Sequence, residues 1–243
     1  TLSLHDALPT YAPIERLRSL YLEALSHPGV AGIVIGTRPD CVDDGKLDFL
    51  RDLREGRVME GWSRELASGT VTAPLVSVEY GIESCYDATL ERINRGHDFE
   101  CARKAVEETA SRGIPVGAHF ILGLPGETRE MMLEQCGQIN SLPVNSIKFH
   151  QLQLVKGTDM EAEFKARPED FLRLDLDDYL DLIIDILERL RPDLCIERVA
   201  GEVPPRFVET PQWGLIRNFD ILHRLDARME ERDSWQGSKY KNN

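Results

Sequence analysis

Gly113-Ile-Pro-Val-Gly-Ala-His-Phe-Ile-Leu-Gly-Leu-Pro-Gly-Glu127 decides how this chain is read. Arg112-Gly113 turns the backbone. Val116 to Leu124 is too continuously apolar for a half-exposed strand, and His119 is its one polar side chain. Gly123-Leu-Pro-Gly-Glu127 then supplies turn chemistry, and Thr128 opens a helix. Unbroken apolar residues, a turn and a helix N-terminus, in that order, describe a buried parallel strand. In βα-repeat proteins the loops at this end of the strands carry ligands. Glycines let backbone come close to a bound group, and Pro125 stiffens the turn. Taken alone, the stretch fits a βα turn without a ligand equally well.

Working upstream, Asp98 is a plausible N-cap for a helix to Ser111 with Phe99, Ala102 and Val106 inward. Asn94-Arg-Gly-His97 precedes it, after short helical material from Ala88 to Ile93. Val76 to Ile82 predicts a strand, with Glu79 and Glu83 near its end. Gly56 to Pro74 shows no regular period. Leu47, Leu50 and Leu53 mark a helix, and Val30 to Gly36 a strand that leaves through Thr37-Arg-Pro-Asp40. A first helix, Tyr11 to His27, carries Ile14, Leu17, Tyr21 and Leu25 on one face and stops at His27-Pro-Gly29.

Downstream, a helix from Arg129 to Ile139 leads to a strand from Ser146 to Val155, which exits through Lys156-Gly-Thr158. Asp178 to Arg191 is the clearest helix, and Cys195 to Val199 one more candidate strand. Alternating helices and strands predict an α/β fold with a parallel sheet and right-handed crossovers. Residues 157–174 are charged and aperiodic, which places a seam there. Residues 1–9 fit poorly with the rest of the chain and are set apart as a candidate foreign segment.

The 243 residues, 42% hydrophobic and 29% charged, suffice for one globular core. No apolar run approaches the roughly 20 residues of a membrane span. The start lacks the pattern of a signal peptide. A net charge of −13 argues against bulk electrostatic binding of nucleic acid. Cys41, Cys85, Cys101, Cys136 and Cys195 are odd in number and scattered, as expected of reduced thiols in a cytoplasmic protein.

Four strand exits carry polar residues: Thr37 to Asp40; Glu83 and Ser84; His119 with Gly123 to Glu127; and His150 to Lys156. Strand C-termini of a βα sheet face one side, so these groups converge into a candidate binding site. Glu79 and Glu83, four apart on one strand, are expected to point the same way. They would hold ribose hydroxyls or a cation, or form a structural pair. Arg95 offers a fork for a ligand carboxylate, with a surface or capping arginine as the alternative. His119 is a ligand or a satisfied core histidine. His97 and His150 lack zincin spacing, so no metal site is assigned.

Glu79-Tyr-Gly-Ile-Glu-Ser-Cys85, Arg92-Ile-Asn-Arg-Gly-His-Asp98 and Gly123-Leu-Pro-Gly-Glu127, with Gly36-Thr-Arg-Pro-Asp40 upstream, resemble the radical S-adenosylmethionine (SAM) superfamily. Within it the residues more closely resemble a bacterial subgroup similar to the catalytic domain of the Elongator subunit 3 family. The resemblance runs from about Tyr11 to the C-terminus and includes Glu197-Arg-Val-Ala-Gly201, Pro211-Gln-Trp213 and Trp235-Gln-Gly237.

The resemblance implies a partial (β/α)6 TIM-like barrel over residues 10–157 and a C-terminal α-rich extension over 158–243. It implies SAM and a 4Fe–4S cluster as cofactors, reductive cleavage of SAM to a 5′-deoxyadenosyl radical, and a flavodoxin- or ferredoxin-like electron donor. It makes Glu79, Glu83, Ser84, Arg95, His119, Gly123, Pro125, Gly126, Glu127, Gln151 and Gln153 cofactor-side residues. Among them Glu83 takes a SAM-contacting position, Arg95 that of an arginine pairing with the SAM carboxylate, and His119 that of a ribose contact. Gly123 to Glu127 matches the motif beside adenine, and Gln151 to Leu154 edges the same pocket. Arg38 and Asp40 fall on the substrate side. RNA modification is suggested by the Elongator likeness and opposed by the acidic charge.

The family's three-cysteine cluster motif, Cys-x3-Cys-x2-Cys or a longer variant, is absent from these residues. By strand count the chain enters just before the third barrel strand, so it reads as an N-terminally truncated piece, inactive alone, with an unpaired sheet edge. The competing reading is a non-catalytic nucleotide- or partner-binding module on a degenerate barrel. An aldolase-like barrel ranks third: Lys148 is the one strand lysine near a Schiff-base position, and it adjoins neither a base nor an obvious pocket charge.

Overall fold

The computed structural model describes residues 2–3, 11–208, 213 and 216–241. In chain order the strands are β1 (Leu2–Ser3), β2 (Gly32–Thr37), β3 (Arg64–Leu66), β4 (Gly69–Val71), β5 (Leu75–Glu83), β6 (Val116–Leu122), β7 (Ser146–Gln151) and β8 (Cys195–Arg198). The helices are α1 (Ile14–Ser26), α2 (Asp44–Arg54), α3 (Asp87–Arg92), α4 (Phe99–Ser111), α5 (Arg129–Ser141), α6 (Asp159–Ala166), α7 (Leu176–Leu187) and α8 (Asn218–Glu231). Among the described residues one sheet has the order β1-β2-β5-β6-β7-β8, and β3 with β4 forms a separate hairpin. The pairs β1–β2, β2–β5 and β7–β8 are parallel, in an α/β fold.

Two compact units divide the chain: residues 1–82, 100–118 and 143–145, and residues 83–99, 119–142 and 146–243. In the first unit the buried side chains of α1 (Leu17, Tyr21, Leu25) and α2 (Leu47, Phe49, Leu50, Leu53) repeat at helical spacing. Tyr80 shares a 2.7 Å hydrogen bond with Thr109, whose hydroxyl also donates to the Ala105 carbonyl. Arg112 joins Asp44, Asp48 and Glu108.

In the second unit α7 is buried over Tyr179, Leu180, Leu182, Ile183, Ile184, Ile186 and Leu187. Asp175 caps its start by accepting the Asp178 N–H. The C-terminal tail satisfies carbonyls beyond its other end. Gly237 and Lys239 donate N–H groups to Leu187 and Glu188 at 3.0 and 2.7 Å. The Gln236 amide donates to Arg191 and Leu194. Trp235-Gln-Gly237 therefore acts as an end clamp, meeting the need of the last helical carbonyls for partners.

Four expectations are revised. The strand from Ser146 stops at Gln151 rather than Val155, because Gln151 turns its side chain to Gly201 and Val155 bridges antiparallel to Val208. The aperiodic 56–74 region holds the β3–β4 hairpin, tied down where Trp62 and Arg64 donate to the Leu25 carbonyl. Residues 159–166 form α6, capped by Thr158, with no buried side chain to give a period. The edge of β2, expected bare, pairs Leu2 with Ile33 and Ser3 with Val34. Asp87 also accepts the Phe99 N–H at 2.8 Å, so α3 helps to start α4.

Candidate active site

The second unit contains an open cleft of about 340 Å³. Its lining includes Glu83, His119, His150, Gln151, Gln153 and Arg198. Four expected residues thus meet there, supplied by the end of β5, the middle of β6 and the end of β7 with the residues after it. Glu83 has φ +72°, a left-handed conformation uncommon outside glycine. Such backbone strain recurs where a side chain is held for a ligand. Arg95 lies 3.2 Å from the Glu83 carboxylate, and both side chains are mostly buried. Burial raises the Glu83 carboxyl above its ordinary value, while Arg95 and His119 pull it down. Arg95 reaches this carboxylate from the Asn94-Arg-Gly96 turn, where Asn94 and Gly96 both have positive φ.

His119 and His150 lie with ring centroids 5.9 Å apart. Burial, then the charges of His119, Arg198 and Lys148, lower His150 to about 4. His150 therefore stays neutral near pH 7, with one ring nitrogen donating and the other accepting.

Gln151 is buried and spends its amide on backbone. Its Nε2 donates to the Gly201 carbonyl at 3.0 Å and its Oε1 accepts the Gly201 N–H at 2.9 Å. Gln153 adds a 3.4 Å bond to the same carbonyl. A Cβ on residue 201 would lie 2.5 Å from His150 Nδ1, so only glycine fits. Gln151 therefore shapes the cleft wall, and its amide is already committed.

The Gly123 to Glu127 loop borders a narrow hollow of about 30 Å³, lined by Leu122, Gly123, Leu152, Gln153, Leu154 and residues 171–173. Gly123 and Gly126 have φ +86° and +88°. The Gly126 N–H donates to the Asp170 carbonyl at 2.8 Å, and a Cβ on Gly123 would lie 3.2 Å from the Leu172 carbonyl. Gly123 thus admits the Leu172 backbone, whereas a Cβ on Gly126 would lie 3.1 Å from the Arg92 guanidinium. Arg92 secures that segment through Glu163 at 2.8 Å and through Asp170. Pro125 is buried in the same turn.

Ser84 is fully buried and donates to Glu127 Oε1 at 2.5 Å. Glu127 is 3% exposed, and among the described residues its Oε2 has no hydrogen-bond partner. Burial raises its carboxyl above the ordinary value, with Ser84 and Thr89 opposing.

Glu79, Arg38 and Asp40 belong to the first unit. Glu79 is buried on β5. Arg38 and Asp40 form a bidentate pair with each other at 2.8 and 2.6 Å, and Arg38 also lies 5.7 Å from the Tyr11 ring centroid. Arg198, Gly201 and Glu202 also line the cleft, and sequence reasoning does not mark them as ligands. The one sequence signal is Glu197-Arg-Val-Ala-Gly201, which does not disclose that Gly201 packs on His150.

An iron–sulfur cluster needs closely gathered thiolates. Among the described residues no three His, Cys, Asp or Glu side chains form a metal-holding group. Burial pushes the Cys136 thiol up to about 12 and Cys85 further, away from thiolate character. The described cysteines do not fit a 4Fe–4S cluster. Among the described residues, no helix is long and apolar enough to cross a membrane.

The C-terminal domain model of the radical SAM family matches residues 144–231. Bacillus subtilis YtqA is 35% identical over 228 residues, covering 94% of this chain and 65% of that protein. Mouse Elongator complex protein 3 is 24% identical over 237 residues, covering 95% and 39%. The chain thus spans less than two thirds of either relative. The archaeal Methanocaldococcus infernus Elp3, solved with an N-terminal deletion, shares the fold at a TM-score of 0.66 with 19% identity, over 85% of this chain and 43% of that one. The radical SAM superfamily model matches residues 3–135, more than half of the sequence, and the chain belongs to that superfamily.

Proposed function

We propose that this chain is the SAM-binding part of a radical SAM enzyme whose cluster thiolates lie outside these 243 residues. The observation that carries the reading is the convergence of Glu83, His119, Gln151 and Gln153 on one open cleft. In this reading Glu83 and His119 bind the polar middle of SAM. Arg95 exchanges part of its contact with Glu83 for the SAM carboxylate. The adenine lies on the side of the Gly123 to Glu127 loop, where Pro125, Gly126 and Glu127 shape the turn and Ser84 holds Glu127. Gln151 holds Gly201 and so the wall opposite.

Reductive cleavage of SAM to a 5′-deoxyadenosyl radical, fed by a flavodoxin- or ferredoxin-like donor, belongs to the whole enzyme, and no step of it is assigned to these residues. RNA modification, suggested by the Elongator likeness, is opposed by the net charge of −13.

Anaerobic reconstitution with iron and sulfide tests the assignment of the thiolates. The chain alone is expected to retain well under the roughly four irons of a full cluster and to release no 5′-deoxyadenosine from SAM under reductant. Four irons with visible absorbance and SAM cleavage would contradict it. If the chain also fails to bind SAM, the competing reading of a binding module for another partner takes its place.

A further inference from the structure

We propose that the cleft wall built by His150, Arg198, Glu202 and Val203 is the substrate side, and that Arg198 receives an oxyanion, a carboxylate or phosphate, of a small-molecule substrate. This rests on the reading that the Glu83 and His119 side holds SAM. The charges around the cleft support it. Glu83 is paired with Arg95. Glu197, beside Arg198 on β8, is 3.4 Å from Lys148. Glu202 accepts the Asn218 N–H at 2.7 Å through Oε1, at the start of α8. Arg198 lines the cleft and makes no ion pair among the described residues, so its planar fork is open to an acceptor.

The wall is also sterically specified. Gln151 and Gln153 both hold the Gly201 carbonyl, and the missing Cβ of Gly201 is what lets His150 occupy its place. Neutral His150 offers the bound group both a donor and an acceptor without adding a charge. By contrast, the Arg38–Asp40 fork expected to face substrate is closed on itself. The net charge of −13 repels a polyanion at long range, whereas a compact oxyanion inside a cleft meets mainly the local Arg198 field. A small molecule is therefore favoured over nucleic acid.

The test follows the His150 imidazole by NMR in the full chain, assigned with His150→Gln, while inorganic phosphate or acetate is added. An anion on Arg198 favours the imidazolium, so the His150 titration should move upward from about 4 and saturate. Arg198→Gln, a change at an exposed side chain, should weaken the response about tenfold or more, with Arg198→Lys between the two. Shifts of the His150 ring signals at pH 7, where both anions are ionised, rank phosphate against acetate and identify the oxyanion. A second titration with SAM separates the two readings. Phosphate and SAM binding together supports the proposal. Mutual competition would assign Arg198 to SAM's own carboxylate and overturn it. SAM failing to bind while phosphate does would overturn the SAM reading and, with it, the name of substrate side. An unchanged response in Arg198→Gln, no response to either anion, or saturation by a short single-stranded RNA alone would overturn the oxyanion site.

Discussion

Arg95→Met is expected to lower the stability of the chain by about 3 kcal/mol at pH 8 and to cut its affinity for SAM at least tenfold. The stability loss comes from stranding Glu83. With Arg95 gone, a mostly buried carboxylate keeps only the influence of His119. Breaking a buried pair from one side costs more than the pair contributes, because the remaining charge stays desolvated. Protonating Glu83 relieves part of that cost, so the deficit should shrink toward pH 5. Urea midpoints at the two pH values read this directly. The affinity loss has a separate origin, the fork offered to the SAM carboxylate. The double variant Glu83→Gln with Arg95→Met should regain stability, and its SAM affinity should fall a further tenfold below that of Glu83→Gln alone. Equal affinity in the double variant and Glu83→Gln would reduce Arg95 to a structural partner.

Glu127→Gln should be more stable than the native chain at neutral pH, by about 1–3 kcal/mol, the usual cost of a buried acceptor without a partner. Glu127 has one oxygen on Ser84, and among the described residues the other accepts no hydrogen bond. Its carboxyl is raised above 4.5 in the folded chain. The contribution of such a group is fully present below the unfolded value and is lost as pH rises through the folded one. The variant minus native difference should therefore be small at pH 4 and grow toward pH 8. Glu83, also raised, keeps its own slope in both proteins. Equal stability at all pH values would show that Glu127 is better solvated than its 3% exposure implies. A buried, half-satisfied carboxylate held at a net cost is a feature expected of a working site, and SAM affinity measured on the same variant tests that role.

The fold was legible where burial writes itself into the chain. Val116 to Leu122 is continuously apolar because β6 is covered on both faces, and α7 shows its apolar face because nearly every turn is buried. Elements that bury little leave no period. None of the side chains of α6 is buried, and β3 and β4 are three residues each, fixed by Trp62 and Arg64 rather than by their own pattern.

The site was legible as a set of polar residues at strand ends, and the cleft lining includes Glu83, His119, Gln151 and Gln153. Its internal commitments were not legible. Gln151 looks like a ligand in sequence, yet it is occupied by Gly201, fifty residues downstream. Arg38 and Asp40 look like two contacts and are one pair. Arg198 and Gly201 acquire meaning only when β8 lies beside β7. Such partnerships depend on tertiary neighbours that spacing does not report.

The most direct measurement is a calorimetric titration of SAM into the chain as it stands, without iron, beside Glu83→Gln and His119→Ala. Saturable one-to-one binding, weakened at least tenfold in both variants and displaced by 5′-deoxyadenosine, is the predicted result. A folded chain that takes up no SAM, or binds it equally well in all three forms, would contradict the assignment of this cleft.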